Sequence, residues 1–186
     1  MTIDRTSLRW NGWGPTAQPD ALPDGSPAWD WIADALGISS PLPKTPAKDL
    51  SDCAVPASGL DGETRLELER IVGANQVHVG DYERAFHARG KSYHDLLWMR
   101  AGNITNAPDA VVYPRSEEEV QRLVEFAAAS DIVLVPYGGG SSVVGGVTAR
   151  EEGESRLCIT VDTTLMVSLL SIDETAMTAT AQAGIY

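Results

Sequence analysis

Gly138, Gly139 and Gly140, followed by the hydroxyls of Ser141 and Ser142, are the residues whose types and spacing could do chemistry. They follow the apolar run Val133 to Tyr137, which Pro136 punctuates. Without Cβ atoms, consecutive glycines let backbone N–H groups turn toward an anion and approach it closely. The serines add hydroxyl donors. The pattern predicts a phosphate- or pyrophosphate-binding loop at the end of a buried strand. Spacing excludes the two common nucleotide motifs. A Walker loop needs a lysine and a hydroxyl residue after its last glycine, and here Gly145 is followed by Gly146 and Val147. A dinucleotide fingerprint built on Gly138 and Gly140 needs glycine or alanine where Val143 stands. The bland alternative is a flexible glycine turn between strands. It loses weight because the loop closes a strand, helix, strand unit at the end where α/β sheets bind ligands.

The elements that position this loop read clearly. Ala110 to Tyr113 is a strand ended by Pro114. Ser116 and Glu119 have the spacing of a capping box. Val120, Leu123, Val124, Ala127 and Ala128 then recur on one helical face. Ile132 to Val135 is the next strand, and a crossover through a helix makes the two strands parallel, expected side by side. Leu157 to Val161 is a further strand. Val167 to Ile172, a turn at Asp173 and Glu174, and Met177 to Ala183 read as a hairpin.

Upstream, residues 1–60 form an irregular arm rich in tryptophan and proline. Its rings Trp10, Trp13, Trp29 and Trp31 are expected to dock on the body of the protein or on a second subunit of a homodimer. Within the arm, Ser26, Pro27 and Gly37 bracket a short helix over Ala28 to Leu36. Residues 41–56 read as linker. A helical region, 61–106, follows, with a helix from Glu63 to Val72 that turns Leu66 and Ile71 inward and stops at Gly73. A second helical piece is expected over Asp81 to Ala88. The basic stretch from His87 to Asp95 is left without assignment.

The 186 residues carry a net charge of -12, which argues against nucleic acid or an anionic membrane as the main partner. No apolar run reaches the length of a membrane span and no secretory signal is visible, so the expected location is the cytoplasm. Cys53 and Cys158 stand far apart, in no disulfide framework or metal spacing. The spacings of His78, His87 and His94 match no ligand pattern, so no metal site is expected and they read as surface or core residues. Arg84, Arg89, Lys91, Arg100 and Arg115 form a basic interval that could steer a phosphorylated substrate, though pairing with nearby acids is the simpler reading. Cys158, within an apolar strand, reads as a buried inert thiol.

The run from Pro136 to Ser142, with Pro114 to Val120 before it and Ile172 to Glu174 and Ala183 to Gly184 after it, resembles the FAD-binding domain of the vanillyl-alcohol oxidase, or PCMH-type, flavoproteins. The segments Arg9 to Gly14 and His87 to Leu96 further resemble the alkyldihydroxyacetonephosphate (alkylglycerone-phosphate) synthases within that superfamily. The resemblance implies an α+β fold in which residues 107–186 are the N-terminal part of the PCMH-type domain: a small parallel βαβ unit and the start of a second, mixed sheet. It implies a noncovalent FAD whose pyrophosphate is gripped by Pro136, Tyr137, Gly138, Gly139, Gly140, Ser141 and Ser142. The implied reaction is the exchange of the acyl group of acyl-dihydroxyacetone phosphate for a fatty alcohol, giving an ether-lipid precursor. A small-molecule or lipid substrate would meet catalytic residues expected beyond residue 186, so the chain is expected to be an inactive piece of a longer enzyme. The same loop also suits an FAD-linked oxidoreductase such as a D-2-hydroxyacid dehydrogenase. A noncatalytic nucleotide- or anion-binding module is the third reading.

Overall fold

The computed structural model describes residues 7–18, 22, 25–39, 46–149 and 153–185. The first five residues of the expected linker, 41–45, parts of the arm and Tyr186 lie outside the described residues. Among the described residues, five α-helices run over Pro27–Leu36 (α1), Gly62–Val72 (α2), Asp81–Phe86 (α3), Tyr93–Arg100 (α4) and Glu117–Ala129 (α5). The strands are Val77–His78 (β1), Ala110–Val112 (β2), Val133–Tyr137 (β3), Cys158–Asp162 (β4), Leu169–Asp173 (β5) and Thr178–Ala181 (β6). The class is α+β.

The main sheet has the order β1-β2-β4-β3, with β2, β4 and β3 parallel and β1 antiparallel at one edge. This corrects the expectation that β2 and β3 are neighbours: they are parallel, but β4 lies between them. Every residue of β4 is buried. A strand buried on both faces gains most from the central position, where partners on each side satisfy its backbone. That leaves β3 at the edge, and Pro136, which has no N–H to give to a ladder, is tolerated there. The strand therefore runs on through Pro136 to Tyr137 instead of stopping.

One core lies between this sheet and α2 and α5, formed by Leu68, Val72, Val112, Leu123, Ala127, Ile159 and Val161 among others. In α2 the buried residues are Leu68 and Val72, with Ile71 beside them, whereas Leu66 is 54% exposed. Two residues from Leu68 is about 200° around a helix, so 66 and 68 cannot share a face. In α5, Leu123 and Ala127 are buried and Phe126 packs beside them, while Val124 and Ala128 face outward. Ser116 caps α5 by accepting from the Glu119 N–H at 3.3 Å. Glu119 reaches back to the Arg115 N–H, at 2.7 Å, one residue beyond the expected partner.

A second core joins Trp10 to Ala85, Phe86, Met99, Ile104 and Tyr137. Trp10 thus docks as expected, but Trp13 and Trp31 remain 54% and 71% exposed. α1 has the expected Ser26 cap and a left-handed Gly37 at its end. Of the stretch left unassigned, His87 to Ser92 is irregular and Tyr93 to Asp95 form the first turn of α4, opened by a reciprocal capping box between Ser92 and Asp95. β5 and β6 form the expected hairpin, a separate antiparallel sheet whose residues are all exposed.

Candidate functional site

The Gly-rich loop leaves the C-terminal end of β3 beside the C-terminal end of β4, with Tyr137 in register with Asp162. Thr163 N–H donates to Tyr137 O at 2.9 Å, closing the strand pair. Gly140 has φ +66°, and a Cβ there would lie 2.0 Å from the Tyr137 hydroxyl oxygen. Glycine is required at that position by conformation and by space. Gly138 is different. A Cβ on it would meet no protein atom within 4 Å and its φ is unexceptional, so the surrounding protein alone does not account for the glycine. The space above Gly138 is open to a ligand. Among the described residues, no backbone acceptor is paired with the N–H groups of Gly138, Gly139, Gly140 or Ser141. Donors in that state at a loop with room above Gly138 fit an anionic pyrophosphate.

Ser142 closes the loop. Its carbonyl accepts the Lys91 N–H at 2.7 Å and its hydroxyl accepts the Gly146 N–H at 3.1 Å. Ser141 is exposed, as are Pro136 and Gly139. A third segment reaches the same end of the sheet: Gly184 lies so close to Thr163 that a Cβ would fall 2.1 Å from the Thr163 carbonyl oxygen.

Beneath the loop is a buried polar layer that spacing alone does not point to. Asp162 and His87 are both fully buried, and His87 Nε2 lies 2.9 Å from Asp162 Oδ2. Asp162 Oδ1 accepts the Thr164 N–H at 2.8 Å and also the Thr164 hydroxyl. The one sequence signal for this layer is an acid ending the apolar strand Cys158–Asp162. His87 is a core histidine, one of the two readings given to it.

The basic interval supplies internal struts. Arg84 donates to the carbonyls of Pro108 at 2.7 Å and Pro56 at 2.6 Å. Lys91 Nζ donates to Trp10 O at 2.8 Å, and Arg100 Nε donates to Asn11 O at 3.2 Å. Arg89 lies over the Trp98 ring, 4.3 Å from its centroid, and donates to Asn106. Burial holds the Arg89 guanidinium below its usual range, partly offset by the carboxylate of Asp95. Cys158 is buried, and no group of metal-ligating side chains occurs among the described residues. An open cleft lined by Val55, Leu60, Arg65, Val79, Asp81 and Arg84 lies apart from the loop. Its cations are already engaged, Arg65 with Glu69 and Arg84 with Asp81, so it offers little to an anion. Among the described residues, no helix is long and apolar enough to cross a membrane.

Residues 108–186 match the FAD binding domain. The chain is 31% identical to the alkyldihydroxyacetonephosphate synthase of Dictyostelium discoideum, over 96% of its own length and 32% of the relative's. A solved structure of an alkyldihydroxyacetonephosphate synthase superposes on the whole chain with a TM-score of 0.85 and 30% identity, covering 38% of that protein. The mitochondrial D-lactate dehydrogenase [cytochrome] of Arabidopsis thaliana is 33% identical over 58% of this chain and 17% of its own. The chain therefore spans about a third of the length of the synthases it matches.

Proposed function

The chain belongs to the PCMH-type FAD-binding flavoproteins and is a homologue of the alkyldihydroxyacetonephosphate synthases, and from that premise we propose that it supplies the pyrophosphate-binding part of an ether-lipid synthase. The cofactor is FAD. In this reading Pro136, Tyr137, Gly138, Gly139, Gly140, Ser141 and Ser142 hold the pyrophosphate through backbone donors and two hydroxyls. Bound FAD supplies the reactive ring system for exchanging the acyl group of acyl-dihydroxyacetone phosphate for a fatty alcohol. The residues described here anchor and orient the cofactor at its phosphates, while catalytic groups and the lipid site belong to parts of the synthases outside the matched third. On this proposal residues 1–186 alone bind FAD weakly and turn over no substrate, because a large ligand needs most of its surface buried in a formed pocket. The enzyme works in the cytoplasm, with a homodimer as its assembly.

The observation that carries the reading is Gly138, whose missing side chain the protein does not require. The experiment is Gly139→Asp in the full-length protein, which adds bulk and negative charge to the loop. Flavin content per folded protein should fall sharply. Full FAD occupancy with an intact fold would remove this loop from the cofactor site. A second reading, an FAD-linked D-2-hydroxyacid dehydrogenase, draws on the similarity to the D-lactate dehydrogenase. Assaying the full-length protein for acyl exchange and for D-2-hydroxyacid oxidation separates the two.

A further inference from the structure

The five residues His87–Lys91 touch the Gly-rich loop at its beginning, its end and its return limb. At the beginning, the His87 ring lies against Tyr137, with centroids 4.3 Å apart, and Tyr137 in turn is the floor on which Gly140 rests. At the end, Lys91 N–H donates to Ser142 O at 2.7 Å, and a Cβ on Gly90 would fall 2.1 Å from that same oxygen. On the return limb, Ala149 N–H donates to Ala88 O at 3.1 Å.

The His87 ring is held on both nitrogens. Nδ1 lies 2.7 Å from Glu83 O, a carbonyl that can only accept, so that nitrogen is assigned a proton. Nε2 shares a further proton with Asp162 Oδ2, and the other oxygen of Asp162 is engaged by Thr164. Glu83 Oε1 is 3.9 Å from Nδ1, and the Tyr113 ring stands edge-on at 6.1 Å. A ring anchored in this way in a fully buried layer cannot rotate without stranding a polar partner.

We propose that His87–Lys91 is a clamp that presets the Gly-rich loop for the pyrophosphate, with His87, held by Asp162, as its positioning residue. The inference rests on the FAD reading of the loop, but its geometry concerns the loop itself. A preset loop binds more tightly because less order is lost when the ligand arrives.

The test compares full-length wild type with Gly90→Ala and with the paired variant His87→Phe/Asp162→Asn. The pair keeps an aromatic ring and a carboxyl-sized group but removes the shared proton. Three quantities are read: melting temperature, the backbone amide resonances of Gly138 to Ser142, and the dissociation constant for FAD. The clamp predicts shifted loop amides and FAD affinity lower by roughly tenfold or more in variants that still fold, since small misplacements in a preset site carry penalties of that order. Unchanged loop amides and FAD affinity in folded variants overturn it. If the wild type binds no FAD, the cofactor reading fails while the loop amides still decide the clamp. Should the paired variant not fold, Gly90→Ala decides alone, because the three atoms nearest its added methyl all belong to Ser142.

Discussion

β4 and β5 are both five-residue strands, yet every residue of Cys158–Asp162 is buried and every residue of Leu169–Asp173 is exposed. Both contain branched apolar residues that favour extended backbone. What separates them is their neighbours. β4 pairs on both sides, its Ile159 and Val161 facing the α2 and α5 core and its Asp162 anchoring the layer beneath the loop. Among the described residues β5 pairs only with β6, and its Leu170 and Ile172 are 61% and 65% exposed. Local sequence therefore specifies that a strand forms, while sheet order specifies how much that strand contributes to stability.

The sharpest way to break the comparison is the same truncation in each strand. Ile159→Ala in β4 should cost about 2–5 kcal/mol, since it removes a fully buried side chain and leaves a cavity. Ile172→Ala in β5 should cost less than about 0.5 kcal/mol, as exposed substitutions usually do. Denaturant melts of the two variants measure the difference, and equal losses would show that the hairpin is covered in solution.

The loop allows a finer version of the same contrast. Gly140→Ala forces a side chain into a positive φ and onto the Tyr137 ring, an expected loss of about 1–3 kcal/mol. Gly138→Ala enters open space and should leave stability within about 0.5 kcal/mol of wild type. If Gly138 is kept small for the cofactor, its variant should nonetheless lose FAD. Thermal melts paired with flavin content would separate the two glycines, and a stable Gly138→Ala protein with full FAD would return that residue to the status of an ordinary turn. Smaller than the Gly140 loss is that of Ser116→Ala, which removes the acceptor for the Glu119 N–H and should cost about 1 kcal/mol by denaturant melt.

What could be read in advance follows the range of the interactions. Helix α5, the hairpin and the cap of α1 are set by residues within a few positions of one another, and Ser116, Gly37 and the alternating run from Thr178 are enough to reveal them. The place of β4 between β2 and β3 is set by contacts across the chain, which periodicity does not record. The loop was visible because three adjacent glycines are a local signal. His87 and Asp162, 75 residues apart, were not, because neither is unusual until the sheet brings them together. Periodicity points to Val124 where the core takes Phe126 for a related reason: several stripes on one helix are apolar enough, and the position of α2 selects among them.

The smallest effect expected is a pH dependence at Asp61, on the buried side of the comparison through the helix it caps. Its Oδ1 accepts the Thr64 N–H and its Oδ2 the Thr64 hydroxyl, each at 2.8 Å, at the start of the helix that carries Leu68 and Val72 into the core. These bonds, the backbone one first, hold the carboxyl below its ordinary value. A depressed folded-state pKa gives stability that is fully present above the unfolded value, about 3.9, and is lost as the pH falls through the folded value. The gap in melting temperature between wild type and Asp61→Ala should therefore be level from neutral pH down to about pH 4 and close below it. Because the carboxyl is in solvent, the charged part of the effect is modest and should shrink with added salt. A gap that persisted unchanged through the acid limb would mean that the cap acts through hydrogen-bond geometry alone, independent of the charge on Asp61.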